Sequence, residues 1–161
     1  MINYNWYEVS QSVKFIATHV LIDLGIGFRS VRSVLGVYRG GVIPGMMVAY
    51  KIDKPFIPLP WQTRDQDKLV DGTVLFDALN ACEPYESLVI VDDIADTGRT
   101  LNEIYRAVEE FNCHSDVPTV VYYAALVKKA SAKLDTPIIS YSNFDTPEWV
   151  EFPWERPLLP K

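Results

Sequence analysis

Residues Ser87 to Thr100, reading SLVIVDDIADTGRT, bring carboxylates, small turn residues and hydroxyls together in a fixed order. The apolar run Leu88 to Val91 meets two adjacent acids, Asp92 and Asp93. After Ile94 and Ala95 comes a third acid, Asp96, and Thr97, Gly98, Arg99 and Thr100 complete the stretch. Carboxylates are natural acceptors for vicinal hydroxyls. Small residues at a helix start let backbone N–H groups converge on a phosphate. Thr100 and Glu103 have the S/T-x-x-E spacing of a capping box, which predicts a helix beginning there. In open α/β sheets, ligands bind beyond the carboxyl ends of the strands. Acids beside a phosphate nest therefore point to a phosphorylated sugar, with its hydroxyls on the carboxylates.

Such a site needs a rigid frame, and the remaining sequence has the pattern of one. The uncharged run before Asp92, bounded by polar turn residues, is written as a buried parallel strand that stops at the acids. Trp6, Val9, Val13, Ile16, Val20, Leu21 and Leu24 predict an amphipathic helix over about residues 5–25, ended by Gly25 and Gly27. Further strands are expected at Ser33 to Tyr38, Phe56 to Leu59, Pro118 to Val127 and Ile138 to Tyr141. Further helices are expected at Val42 to Ile52, with Pro44 tolerated in the first turn, at Val74 to Cys82, and at Thr100 to Phe111. Trp61 to Gly72 is polar and aperiodic, the signature of a functional loop. Asp145 to Lys161, with Trp149, Trp154 and four prolines, reads as a fixed, irregular C-terminal segment. Strands alternating with helices predict an α/β fold, a mostly parallel doubly wound sheet flanked by helices, in one domain over 1–161.

Composition narrows the partners. At 161 residues, 48% hydrophobic and 22% charged, the chain can bury a real core and is not of disordered type. A net charge of −6 without a basic tract argues against nucleic acid as the main partner. Small anions still fit, because local loops can be electropositive on an acidic protein. Two cysteines and two histidines lack zinc-site spacing and predict reduced thiols in a cytoplasmic protein. The N-terminus lacks signal-peptide features, and no apolar run approaches the ~20 residues needed to span a membrane.

VIVDDIADTGRT resembles the phosphoribosyl-pyrophosphate motif of type I phosphoribosyltransferases: an apolar strand, two acids, two further residues, then D-T-G-x-T. Tyr38-Arg39-Gly40-Gly41 is similar to the pyrophosphate loop of that family. Lys128, at the end of ALVK, and the tail DTPEWVEFPWE (Asp145 to Glu155) resemble the purine-binding parts of its xanthine–guanine and hypoxanthine members. The resemblance runs from about Val34 to Glu155, and the W-V-E-x-P-W tail carries its 6-oxopurine character.

The resemblance implies a role for each matching residue. Asp92 and Asp93 would hold the ribose hydroxyls, with Ile94 and Ala95 between them and the phosphate loop, and Asp93 would approach Mg²⁺. Asp96 to Thr100, with Thr97, Gly98 and Arg99, would cradle the 5-phosphate. Asp96 would also be the general base or hydrogen-bond acceptor beside the purine imidazole. Arg39 and Gly40 would meet the pyrophosphate, at a turn where the family often has a cis peptide. Lys128 would donate to the purine O6, although the adjacent Lys129 leaves the register open by one. Trp149 and Val150 would sandwich the base and offer main-chain carbonyls, while Trp154 is assigned to packing. Residues 128–155 would form a small C-terminal base-binding hood.

Two departures qualify the transfer. The loop 61–72 stands where the family has its flap but lacks the Ser-Tyr pair, leaving Thr63, Arg64 and Lys68, with Lys68 the candidate contact to the pyrophosphorylated sugar. Glu155 stands where many relatives have Asp. The implied function is Mg²⁺-dependent transfer from phosphoribosyl pyrophosphate to guanine, xanthine or hypoxanthine in purine salvage. A homo-oligomer, dimer or tetramer, is implied, with the N-terminal helix as a contact surface. The competing readings are a phosphoribosyltransferase for another base (adenine, orotate or a pyrimidine) and a non-catalytic regulator that senses a nucleotide or binds RNA on the same fold.

Overall fold

The computed structural model describes residues 1–27, 29–62 and 69–156. In chain order the elements are β1 (Ile2–Asn3), α1 (Trp6–Gly27), β2 (Ser30–Val37), α2 (Val42–Lys51), β3 (Phe56–Leu59), β4 (Trp61–Gln62), β5 (Leu69–Val70), α3 (Gly72–Asn80), β6 (Glu86–Ala95), α4 (Arg99–Asn112), β7 (Val120–Lys129), β8 (Ile139–Phe144) and β9 (Val150–Glu151). A 3₁₀ turn, Pro153–Glu155, closes the described chain. Five strands form one parallel sheet in the order β3-β2-β6-β7-β8.

Strand alternation divides the core in two. Val34, Val89, Val91, Ala124 and Leu126 face the side covered by α1 and α2, and pack with Val9, Val13, Ile16, Val20 and Val48. Leu35, Val37, Leu88, Ile90, Tyr123 and Ala125 face the other side, against Leu75 and Leu79 of α3 and Leu101, Ile104 and Val108 of α4. Both faces of β6 are dry, which is why its sequence is an unbroken apolar run instead of an alternating one. Each fully buried Leu or Ile contributes about 1.5–3 kcal/mol by leaving water.

Several boundaries differ from the sequence expectation. β6 does not stop at Asp92; it runs to Ala95, because β7 continues alongside it and pairs Asp92 with Ala125, Ile94 with Val127 and Ala95 with Lys128. Hydrogen bonding to a neighbour outweighs the polarity of the side chains. α1 ends at Gly27, the second of the two glycines expected to stop it, while Trp6 and Leu21, 54% and 51% exposed, lie off its buried stripe. The flanks of the 61–72 loop are ordered: β4 and β5 pair antiparallel, Trp61 is buried, and Asp71 caps α3 through Thr73 N–H. Its Thr63, Arg64 and Lys68 lie outside the described residues. The C-terminal segment is not wholly irregular, since β9 pairs in parallel with β1 (Ile2 with Val150, Asn3 with Glu151). No helix among the described residues is long and apolar enough to cross a membrane.

A Cβ on Gly25 would meet nothing within 4 Å. Gly25→Ala is therefore expected to raise the unfolding free energy by about 0.5–1 kcal/mol, read by urea denaturation. No gain would mean that the helix is frayed at that turn.

Candidate active site

The chain leaves β2 toward β3 on one side of the sheet, and leaves β6 toward β7 and β8 on the other. The carboxyl ends of β2 and β6 thus flank the crevice where a doubly wound sheet binds ligands. The loop Tyr38 to Gly41 follows β2, and the Tyr38–Arg39 peptide is cis, as the resemblance implies. Gly40 packs directly on the acids of β6: a Cβ there would lie 1.9 Å from Asp93 Oδ2. Arg39 is exposed beside it. The two loops expected to share one substrate therefore touch.

Within β6, backbone donors hold the acids. Asp92 Oδ1 accepts from Asp93 N–H at 2.9 Å, and Asp93 Oδ1 accepts from Ile94 N–H at 2.7 Å. Asp92 is buried, and Asp93 is half-buried. Beyond them Gly98, at φ +85°, turns the chain into α4. The expected capping box at Thr100 and Glu103 does not form. The left-handed turn starts the helix at Arg99 with Gly98 at the N-cap, and Glu103 instead takes Arg99 Nε at 3.0 Å. The Thr97 hydroxyl accepts from the first of its peptide N–H groups, that of Arg99, at 3.3 Å, and the positive end of the helix favours an anion at this turn. Thr97 and Arg99 are exposed around this turn, Thr100 is half-buried, and Ala95 and Gly98 are buried.

A small cavity of about 60 Å³ lies at the strand ends, lined by Asp93, Asp96, Lys129, Trp149, Val150 and Glu155, with Ile94 and Phe152. Lys129 Nζ stands 3.2 Å from Asp96 Oδ1. Lys128 is not among the lining residues. Successive strand residues point to opposite faces, so only one of the pair can enter the cavity, and it is Lys129. Trp149 is 56% exposed at the rim, whereas Trp154 packs, stacked on Phe152 at 4.9 Å and tilted against Trp6 at 5.9 Å. The Trp149 carbonyl accepts from Ile2 N–H at 2.8 Å and the Glu151 carbonyl from Tyr4 N–H at 2.9 Å. Their engagement with the N-terminal segment turns the peptide groups of Val150 to the opposite edge. Of the two carbonyls expected to face a base, that of Trp149 is thus committed elsewhere. Glu155 accepts from Phe152 N–H at 2.9 Å, which closes the hook of the tail.

Sequence reasoning did not single out Phe152, whose apolar type signalled only packing. It also missed Ser131, which bonds the Asp96 carbonyl from outside the motif, and Asn102, which bonds the neighbouring segment at Lys133 and Asp135. Larger hollows of about 420 and 380 Å³ lie at the opposite, amino ends of the strands, around Glu83, Tyr85 and His114 and around Phe76 and Phe111. None of the acids or phosphate-loop residues lines them, so volume alone does not mark the site.

The two glycines of the site should respond differently to a methyl group. In Gly40→Ala the clash is with the outer end of a side chain, which can turn about its bonds at the expense of its contact with Ile94 N–H, so the loss should stay below about 2 kcal/mol. In Gly98→Ala the positive φ and a Lys133 carbonyl at 2.4 Å from the new Cβ should cost about 2–4 kcal/mol. Urea denaturation of both variants tests the contrast, and equal losses would contradict it.

Residues 5–161 match the phosphoribosyl transferase domain family. The xanthine-guanine phosphoribosyltransferase of Idiomarina loihiensis is 20% identical over 155 residues, covering 96% of this chain and 86% of that protein. Its counterpart in Cereibacter sphaeroides is 28% identical over 135 residues, covering 79% and 71%. The crystal structure of a purine phosphoribosyltransferase from Pyrococcus horikoshii superposes with a TM-score of 0.66 at 24% identity, covering 99% of this chain and 97% of that one. The family match takes in the acidic strand end, the glycine loop and the tail together, and the chain belongs to the phosphoribosyl transferase domain family.

Proposed function

We propose that the protein is a cytoplasmic enzyme that transfers the 5-phosphoribosyl group of phosphoribosyl pyrophosphate to a ring nitrogen of guanine, xanthine or hypoxanthine. The observation that carries this reading is the Lys129–Asp96 pair, at 3.2 Å, in the cavity next to Asp93 and Val150. A 6-oxopurine presents an acceptor, O6, and an imidazole N–H donor on one edge. A lysine donor beside a carboxylate acceptor is complementary to that edge. Adenine would set its amino group against the ammonium, donor to donor, and leave a polar group unpaired. Two relatives that are matched over most of this chain are named xanthine-guanine phosphoribosyltransferases, which supports the same choice.

In this mechanism Asp92 and Asp93 hold the ribose hydroxyls, and the turn Asp96 to Thr100 holds the 5-phosphate through peptide N–H groups and the Thr97 and Thr100 hydroxyls. Arg39 and the Gly40 backbone contact the pyrophosphate. A purine nitrogen bonds to the sugar carbon as the bond to the pyrophosphate oxygen breaks, and Asp96 takes the proton lost from the ring. Lys129, in place of Lys128, donates to O6, and Trp149 stacks on the base, an interaction worth about 1–3 kcal/mol. Val150 reads the base edge through its peptide groups. Residues 63–68, with Lys68, would complete the pyrophosphate side.

The acids fit Mg²⁺. They offer hard oxygen donors, and among the described residues no group of three His, Cys, Asp or Glu side chains could enclose an ion. Asp93 would hold the ion, which as a hard cation would keep several waters. When bound, Mg²⁺ supplies charge neutralisation to the departing pyrophosphate.

A pyrophosphate-release panel across the natural bases tests the reading. Guanine, xanthine or hypoxanthine should support release only with Mg²⁺ present, and adenine, orotate and uracil should not. Release with none of the bases would favour a non-catalytic sensor. Lys129→Met is expected to lower kcat/KM for the base about 10- to 100-fold, against less than about threefold for Lys128→Met. Asp96→Asn should lower turnover about 100-fold or more while the chain stays folded. Wild-type turnover would remove Asp96 from the chemistry.

A further inference from the structure

Asn102 lies in the first turns of α4, at a position with no place in the motif, yet it is only 9% exposed and fully engaged. Its Nδ2 donates to the Lys133 carbonyl at 2.7 Å, and its Oδ1 accepts from Asp135 N–H at 2.9 Å. One donor end faces a carbonyl and one acceptor end faces an N–H, so a single orientation of the amide satisfies both. The segment it grips is in turn bonded to the phosphate loop. Lys133 N–H donates to the Thr97 carbonyl at 3.1 Å, and Ser131 Oγ donates to the Asp96 carbonyl at 3.0 Å. The Lys133 carbonyl lies so close to Gly98 that a Cβ there would stand 2.4 Å from it. The same segment follows Lys129, whose ammonium meets the Asp96 carboxylate.

We propose that Asn102 is a positioning residue for the phosphoribosyl site: by clamping residues 133–135 it holds the main chain of Asp96 to Gly98 in the shape that receives the 5-phosphate. The inference rests on the transferase reading given above. Peptide N–H groups bind a phosphate well only when they are already aimed at it, since ordering them on binding subtracts from affinity. Gly98 brings no side chain to fix its own turn, and the bond that spans it, from Arg99 N–H to the Thr97 hydroxyl, is long at 3.3 Å and exposed, so the contacts from across the gap add the rigidity. The Arg106–Asp135 pair, at 2.7 Å, touches the same segment, but it is exposed and screened by solvent, and so holds it weakly.

Steady-state kinetics with both substrates varied, together with thermal melting, tests this. Asn102→Leu keeps the volume and strands both partners, and is expected to raise KM for phosphoribosyl pyrophosphate about tenfold, with KM for the base and kcat within about twofold. Ser131→Ala should move the same KM by about two- to fourfold, and Arg106→Ala should leave all three constants within about twofold. A merely structural role would lower the melting temperature and the active fraction without separating the two KM values. An unchanged KM for phosphoribosyl pyrophosphate in folded Asn102→Leu overturns the inference. If that variant does not fold, an unchanged value in Ser131→Ala overturns it instead. A wild-type protein that releases no pyrophosphate would sink the transferase reading, not this one. Amide hydrogen exchange of Thr97 to Thr100 then decides: faster exchange in Ser131→Ala supports the clamp, and equal exchange overturns it.

Discussion

The contact between Gly40 and the carboxylate of Asp93 is the constraint on which the rest of the site depends. It exists because β2 and β6 are neighbours whose chains leave in opposite directions, so no crossover covers the crevice between their ends. A side chain at residue 40 would occupy the space of the acid. With hydrogen there, the glycine loop lies flat on β6, and groups suited to a pyrophosphate stand next to groups suited to ribose hydroxyls. The sheet sets this distance, and the sheet is rigid because both of its faces are buried.

The legible part of the fold was the part whose sequence pattern has one physical cause. Val89 to Val91 are apolar because helices cover both faces, and that pattern reads directly as a central parallel strand. The stripe Val9, Val13, Ile16, Val20 and Leu24 reads as a helix for a similar reason. What sequence could not give was set by partners distant in the chain. β6 continues through its acids because β7 is there to bond it, and nothing in Asp92 to Ala95 announces that. The capping box at Thr100 failed because a local spacing rule competes with Gly98, which turns the chain earlier.

The candidate site divides along the same line. The acids, the glycine loop and Trp149-Val150 are contiguous motifs, and the structure brings them to one crevice. The choice between Lys128 and Lys129 is a question of strand phase, since one residue reverses the face. β7 is apolar on both faces for most of its length, so its own sequence leaves the phase undetermined, and only the sheet assigns it. Asn102 was invisible because its meaning depends on two main-chain groups of a loop some thirty residues away.

The pairing of β1 with β9 has a consequence for how the molecule assembles. Ile2 must find Val150, so this small ribbon closes a loop of nearly the whole chain. Closing so large a loop is entropically unfavourable until most of the intervening structure has formed. The elements around the acids and the glycine loop, β2 to α4, lie closer together in sequence and need no such closure. The end of the cleft with the acids and the glycine loop can therefore take shape before the tail is in place. The end lined by Trp149 and Val150 is completed last, when β9 closes on β1.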